Sequence, residues 1–344
     1  MTWLPLLLAD PSLNLRYLVM KNFFQEERNS NELDELEKLR YEDPLLTNML
    51  ALQSTEGYWD RGDFVGGSHR TRIFTTAQAL FRLSYFGLPK DYPAIKNGVE
   101  FLFSEQRDDG SWALPIYREK LIDRDGYETM SLQTSLPLRA IAQCGYATDS
   151  RAEKAYDWLL NQRTPDGVWP TGIVKGNFGY VAGYRKIAQS RWGCRSNTTG
   201  ALICLAHHPR YQNSLAAQRA LDLLLGRDTQ EQQTLGFEVA RTIGFEQATG
   251  FITYFARFDL SLMLDLCWRI KATLEDNRVK ELVSFIKSLQ GSYGLWEYLE
   301  KPHASRWITF DILRSLTKIN ADGDWFSNAP KTPFQTYPKT RRRF

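Results

Sequence analysis

Apolar residues recur at helical spacing along this chain of 344 residues, but at two different densities. In one kind of segment they form a single stripe, as at Leu282, Phe285, Ile286 and Leu289, which predicts an amphipathic helix with one buried face. Segments of this kind cover 31–53, 92–106, 150–162, 213–226 and 276–290. The second kind is apolar on most faces and covers 70–86, 128–143, 196–208, 252–271 and 304–319, with cores such as Phe74, Ala77 and Phe81 or Ala201, Leu202 and Leu205. Residues 13–25 read as a further segment of the second kind. Pro137 falls inside 128–143, where it predicts either a bend or a shifted boundary.

The two kinds alternate, and a recurring turn joins them. In it a glutamine precedes a tryptophan by six or seven residues: Gln53 to Trp59, Gln106 to Trp112, Gln162 to Trp169 and Gln290 to Trp296. Successive glutamines lie 53, 56 and 128 residues apart. The last gap is about double the others, and a worn copy, Arg227 to Phe237, falls within it. The chain is therefore a repeat protein. Stripe-faced helices belong in an outer layer and all-round apolar helices in an inner one, so five or six hairpins closing into a ring satisfy both. The fold class expected is all-α, an α/α toroid over 1–325 with 1–44 as a helical lead-in, followed by a basic tail over 326–344.

Aromatic residues make up 13% of the chain, and most of the ten tryptophans stand at repeat positions, so much of that excess is architectural. A net charge of +3 gives no reason to expect a nucleic-acid partner, and the terminal cluster Lys339, Arg341, Arg342 and Arg343 reads as a solvated tail. Cys144, Cys194, Cys204 and Cys267 are widely spaced, which suits a reducing compartment. With no leader pattern and no run of membrane-spanning length, a cytoplasmic protein is expected.

The Q-x-x-D-G-x-W turns resemble those of the α/α-toroid superfamily of squalene and oxidosqualene cyclases, class II diterpene cyclases and protein prenyltransferase β subunits. Pro11 to Tyr17 (PSLNLRY) and Ser305 to Thr309 (SRWIT) are closer still to uncharacterised bacterial proteins with prenyltransferase/squalene-cyclase repeats. The resemblance implies an isoprenoid-active protein with an apolar central cavity. It does not carry over a complete catalytic set. Class II cyclases use D-x-D-D-T, because a carboxylic acid must protonate an alkene. Here the corresponding string is Asp125 to Thr129, with Tyr127 where the donor would stand and Glu128 as a relocated acid or a first-turn helix residue. Of the zinc ligands of the prenyltransferases only Cys194 and His303 have counterparts, with Trp192 in the aspartate position. There is no DDxxD face for magnesium, and no cofactor is expected.

Residues at the starts of the inner helices are the remaining candidates. His69, Arg70, Arg191, Trp192, Arg195, Tyr254, Arg257, His303, Arg306 and Trp307 gather with Tyr127 at one mouth if all inner helices run the same way. Arginines there either clamp the anionic head of an isoprenoid or pair with turn acids such as Asp60, Asp109 and Asp166. His207 and His208 read as partners of a helix C-terminus. Asp259 and Asp311 lie within apolar helices, where a carboxyl either pairs, with Arg257 and Arg306 at hand, or stays protonated. Glu128, Asp259 and Asp311 are accordingly the candidate catalytic acids. The alternatives are a non-catalytic lipid-binding or scaffold toroid and a carbohydrate-active α/α toroid.

Overall fold

A computed structural model describes residues 4–24, 30–60, 71–112, 131–164, 167–170, 173–174, 177–178, 194–226, 234–246, 259–291 and 293–319. Among them the structure is helical apart from a single bridge and one short antiparallel hairpin, Ile173–Val174 against Asn177–Phe178. The lead-in contributes α1 (Leu4–Leu8), α2 (Leu13–Phe23), α3 (Ser30–Leu39) and α4 (Pro44–Leu50). Then follow α5 (Arg72–Tyr85), α6 (Pro93–Ser104), α7 (Ser131–Ile141), α8 (Ser150–Asn161), α9 (Arg195–Ala206) and α10 (Leu215–Leu225). The last are α11 (Phe237–Ile243), α12 (Leu260–Arg269), α13 (Asn277–Ser288) and α14 (Ser305–Ile319).

The two densities of apolar residues separate into two layers. Outer helices bury one stripe: Ala152, Ala155, Tyr156 and Leu159 in α8, and Val279, Leu282, Val283 and Ile286 in α13. Inner helices are buried nearly all round, as α5 is from Ile73 to Leu83 and α9 from Asn197 to Ala206. Helices α5, α7, α9, α12 and α14 pack side by side in that order, with α6, α8, α10 and α13 outside them. The ring closes where Trp307 of α14 packs on Phe86 just past α5, ring centroids 5.5 Å apart. Helix α2 covers this seam through Phe23 against Phe310 and Leu18 against Gly87. This is an α/α toroid.

The repeated turn is built the same way each time. The indole Nε1 of Trp59, Trp112, Trp169 and Trp296 donates to a carbonyl of the preceding outer helix, on Met49, Leu102, Leu159 and Ile286, at 2.6–2.8 Å. The backbone N–H of the same tryptophans donates to Thr76, Thr134, Thr198 and Thr309 in the following inner helix. Each tryptophan thus pins one outer helix to one inner helix, and the shared geometry makes these inner helices run the same way. Gln53, Gln106 and Gln290 donate from Nε2 to the carbonyls of Gly57, Gly110 and Gly294. Gly57 and Gly110 have positive φ, and a Cβ there would lie 2.5 Å and 2.7 Å from the backbone oxygens of Asn97 and Lys154, so only glycine fits.

Three expected elements differ. The helix expected over 31–53 is interrupted by a 3-10 turn at Arg40–Glu42, after which Asp43 caps α4 with Pro44 at its first position. Of the helix expected over 252–271, residues 252–258 lie outside the described residues, and α12 starts at Leu260, where the Asp259 side chain caps it by accepting from Ser261 and Leu262 N–H. Pro137 sits within α7 without ending it. The worn fourth copy lies partly outside the described residues, and its end leads into α11, whose seven residues are all buried. Helix α11 packs on α5, α12 and α14 and ion-pairs with Arg139 of α7, which places it inside the ring.

Candidate active site

A partly open cavity of about 120 Å³ lies within the ring, room for on the order of ten waters. It lies toward the C-terminal halves of the inner helices, lined by Ser84 and Tyr85 of α5, Arg139 and Gln143, His207 beyond α9, Asp265 and Arg269 of α12, and Asp311 and Arg314 of α14. Glu238, Val239 and Thr242 of α11 form one wall. An apolar cavity is expected from the sequence. The described one is lined by polar and apolar groups in about equal measure, with charged Asp265, Arg269, Asp311 and Arg314 beside Phe81, Val239 and Leu262.

Two carboxyl groups share one arginine in it. Arg314 donates to Asp311 Oδ1 at 2.5 Å and lies 3.7 Å from Asp265 Oδ1. Arg269 Nε holds Asp265 Oδ2 at 2.7 Å, and Trp268 Nε1 donates to Asp265 Oδ1 at 3.0 Å. Burial opposes ionisation of both, but the outcomes diverge. At Asp265 the two arginines outweigh burial and bring the carboxyl down to about 2. At Asp311 burial prevails over Arg314, Asp265 adds its negative charge, and the carboxyl rises to about 6. Tyr85, whose hydroxyl donates to Asp311 Oδ1 at 3.4 Å, is held well above the usual phenol range by burial and by Asp311. Two neighbouring carboxyls pushed apart in this way can serve as a proton donor and a fixed anion.

Elsewhere in the cavity Glu238 of α11 accepts from Arg241 at 2.6 Å and from Arg139 at 3.4 Å. Arg139 lies over the Phe81 ring at 4.5 Å. The His207 ring meets Gln143 Nε2 at 3.1 Å, and burial followed by the Arg269 charge keeps its pKa well below the ordinary value, so it is a neutral imidazole. His208, outside the cavity, bonds Glu153 at 3.0 Å and is also lowered by burial. Neither histidine is the cationic partner of a helix end that its position in the sequence suggests, because burial penalises the charge.

Of the three candidate acids, Asp311 lines the cavity. Asp259 does not; its carboxylate is fully buried and accepts from the backbone of Gly236, Phe237, Ser261 and Leu262 and from the hydroxyls of Thr234 and Ser261. Burial raises its pKa. Glu128 lies outside the described residues, as do His69, Arg70, Tyr127, Arg191, Trp192, Tyr254 and Arg257. The partner expected for Asp311, Arg306, instead reaches Asp10 of the lead-in at 3.4 Å, because it leaves α14 on the side facing α1. Trp307 is buried against Tyr85 and Phe86, His303 is exposed beside Phe245, and Arg195 opens α9 with Cys194 buried as its N-cap. Arg72 pairs with Asp60 at 3.7 Å and lies over Tyr58, a contact that ties the rim together. Among the described residues no three His, Cys, Asp or Glu side chains are grouped to hold a metal ion, and no helix is long and apolar enough to cross a membrane.

The residues that sequence reasoning passed over are Tyr85, Asp265, Arg269 and Arg314. Their signal was present: Asp265 and Arg269 at i,i+4 and Asp311 and Arg314 at i,i+3 are charges inside otherwise apolar helices.

Residues 46–184 match the squalene-hopene cyclase C-terminal domain. Squalene-hopene cyclase of Zymomonas mobilis is 31% identical over 107 residues, covering 30% of this chain and 16% of that protein. Lanosterol synthase of Pneumocystis carinii is 25% identical over 162 residues, covering 46% of this chain and 20% of that protein. The chain thus spans about a fifth or less of the length of the curated relatives it matches. Among solved structures, the type II terpene cyclase MstE from Scytonema aligns over 81% of this chain and 72% of its own, with 16% identity and a TM-score of 0.46. The matched segment contains the turns Gln53 to Trp59, Gln106 to Trp112 and Gln162 to Trp169.

Proposed function

We propose that this chain is an isoprenoid-active enzyme of the terpene-cyclase type, in which Asp311 is the general acid. The observation that carries the reading is a carboxyl, raised by burial, that lines the cavity of a ring of which residues 46–184 match a squalene-hopene cyclase domain. Burial, with the Asp265 charge added, shifts Asp311 toward its protonated form despite Arg314. In the proposed step the Asp311 O–H bond breaks and the proton forms a new bond at the reacting end of the isoprenoid. Arg314 then holds the carboxylate left behind, and Asp265 stays ionised and fixes Arg314 and Arg269. The cation relaxes by ring closure and loss of a proton or capture of water, so the sequence is redox-neutral.

Prenyl diphosphates, squalene and related polyenes incubated with the protein, with products identified by mass spectrometry, test this. A new product formed by wild type and reduced by ~10²–10⁴ in Asp311→Asn supports it. No conversion of any of them, or conversion undiminished in Asp311→Asn, refutes it.

One observation favours a second reading, a non-catalytic lipid-binding or scaffold toroid. The cavity is below the ~300–1,000 Å³ usual for a ligand site, and Asp265, Asp311 and Glu238 are all arginine-paired. Binding of an isoprenoid without turnover, unchanged by Asp311→Asn, would select it.

A further inference from the structure

Positive charge exceeds negative charge around the cavity. Arg139, Arg269 and Arg314 line it together with Asp265, Asp311 and Glu238. Glu238 is held more closely from behind by Arg241, at 2.6 Å, than by Arg139, at 3.4 Å. The guanidiniums of Arg139, Arg241, Arg269 and Arg314 therefore outnumber the three carboxyls, and burial drives one of these, Asp311, toward its neutral form. Asp259 does not redress the balance, because its carboxylate is taken up by backbone N–H groups and hydroxyls away from the cavity.

The same surplus appears in the hydrogen bonds. Arg139 donates from Nη1 to Glu238, Arg269 from Nε to Asp265, and Arg314 from Nη2 to Asp311. Among the described residues, Arg139 Nη2, both Nη atoms of Arg269 and Arg314 Nη1 donate to no protein acceptor, and none of them is sealed from space that water can reach. These donors come from three different helices, α7, α12 and α14. They converge: Arg269 and Arg314 flank one carboxylate, Asp265, at 2.7 Å and 3.7 Å, and the charges of Arg269, Arg139 and Arg314 all bear on the His207 ring. A guanidinium offers its N–H groups as a planar fork that matches phosphoryl oxygens, and a phosphate has enough oxygens to meet forks from several sides.

We propose that this cavity binds a phosphate group through Arg139, Arg269 and Arg314. The site goes beyond the isoprenoid reading and does not rest on it. A free phosphate ion and the head of an isoprenoid phosphate share the chemistry, and titration with each separates the two sources.

Isothermal titration calorimetry of the full chain with inorganic phosphate, in chloride buffer at constant ionic strength, tests this. Wild type is expected to bind one phosphate per chain. Arg139→Gln and Arg269→Gln should each weaken binding by ~10-fold or more, whereas Arg72→Gln, at the rim, should leave it unchanged. Near-ultraviolet circular dichroism identifies the variants that keep the fold. The wild type supplies a second measurement that needs no variant to fold: the His207 ring resonance should shift with the same saturation. No saturable binding, an unmoved His207 resonance, or full binding by a folded Arg139→Gln or Arg269→Gln variant overturns the proposal. Geranyl phosphate titrated in parallel assigns the isoprenoid head if it binds more tightly than inorganic phosphate and loses binding in the same variants; equal binding assigns the free ion. Calorimetry reads binding without turnover, so a failure here leaves the catalytic reading to be judged by product analysis alone.

Discussion

Replacing Asp311 with asparagine should change how stability depends on pH, and by an amount the structure sets. Asp311 ionises near its ordinary 3.8 in the unfolded chain and at about 6 when folded. Between those values the folded protein binds the extra proton, so wild-type stability falls as pH rises through this window. At about 1.4 kcal/mol per pH unit the fall amounts to ~3 kcal/mol. Asparagine has no proton to lose. The difference in unfolding free energy between variant and wild type should therefore move by ~2 kcal/mol in the variant's favour from pH 4 to pH 7. Taking the difference at each pH cancels His207, whose lowered pKa makes stability rise over part of the same range, and Asp259, whose raised pKa makes it fall. Asp265, brought down to about 2, acts below the window. Urea titrations of both proteins at half-unit steps from pH 4 to pH 7 measure the effect. A difference that stays flat refutes the perturbed carboxyl. A difference that moves in the wild type's favour would mean that Arg314 dominates Asp311 and holds it ionised.

The remaining predictions concern the scaffold. Trp169→Phe removes the indole bond to the buried Leu159 carbonyl and should cost ~1–3 kcal/mol in chemical denaturation. Gly110→Ala forces a Cβ to 2.7 Å from the Lys154 oxygen at a φ of +92°, and should lower stability by more than about 1 kcal/mol by the same measure. Arg306→Ala breaks a partly exposed pair with Asp10 and should change stability by only ~0–1 kcal/mol, which separates a seam contact from a binding residue when set beside isoprenoid turnover.

The architecture was legible because it is written in burial. A single stripe at Leu282 and Ile286 against an all-round apolar Phe74 to Leu83 assigns outer and inner layers, and the glycine and tryptophan of each turn mark the junctions. Less of the site could be read. Helix starts advertise themselves through caps and arginines, which drew attention to one end of the ring, whereas the described cavity lies toward the other. Asp311 was found from the cost of burying a charge, and the same reasoning applied to Asp265 and Arg314 would have located its neighbours. Asp259 satisfies the identical rule yet caps α12 and anchors α11, since burial cost alone does not distinguish a backbone acceptor from a proton donor. Nor did periodicity reveal that the seven residues Phe237–Ile243 turn inward, because Glu238 and Arg241 interrupt the apolar run and are paired inside the ring with each other and with Arg139.

Solvent-deuterium incorporation tests the central claim most directly. An Asp311 proton exchanges with the medium before each turnover, so isoprenoid converted in deuterium oxide should carry one deuterium at the protonated position. Asp311→Asn should give little or no labelled product. Product free of deuterium, product labelled equally by the variant, or no product from the wild type would contradict proton donation by Asp311.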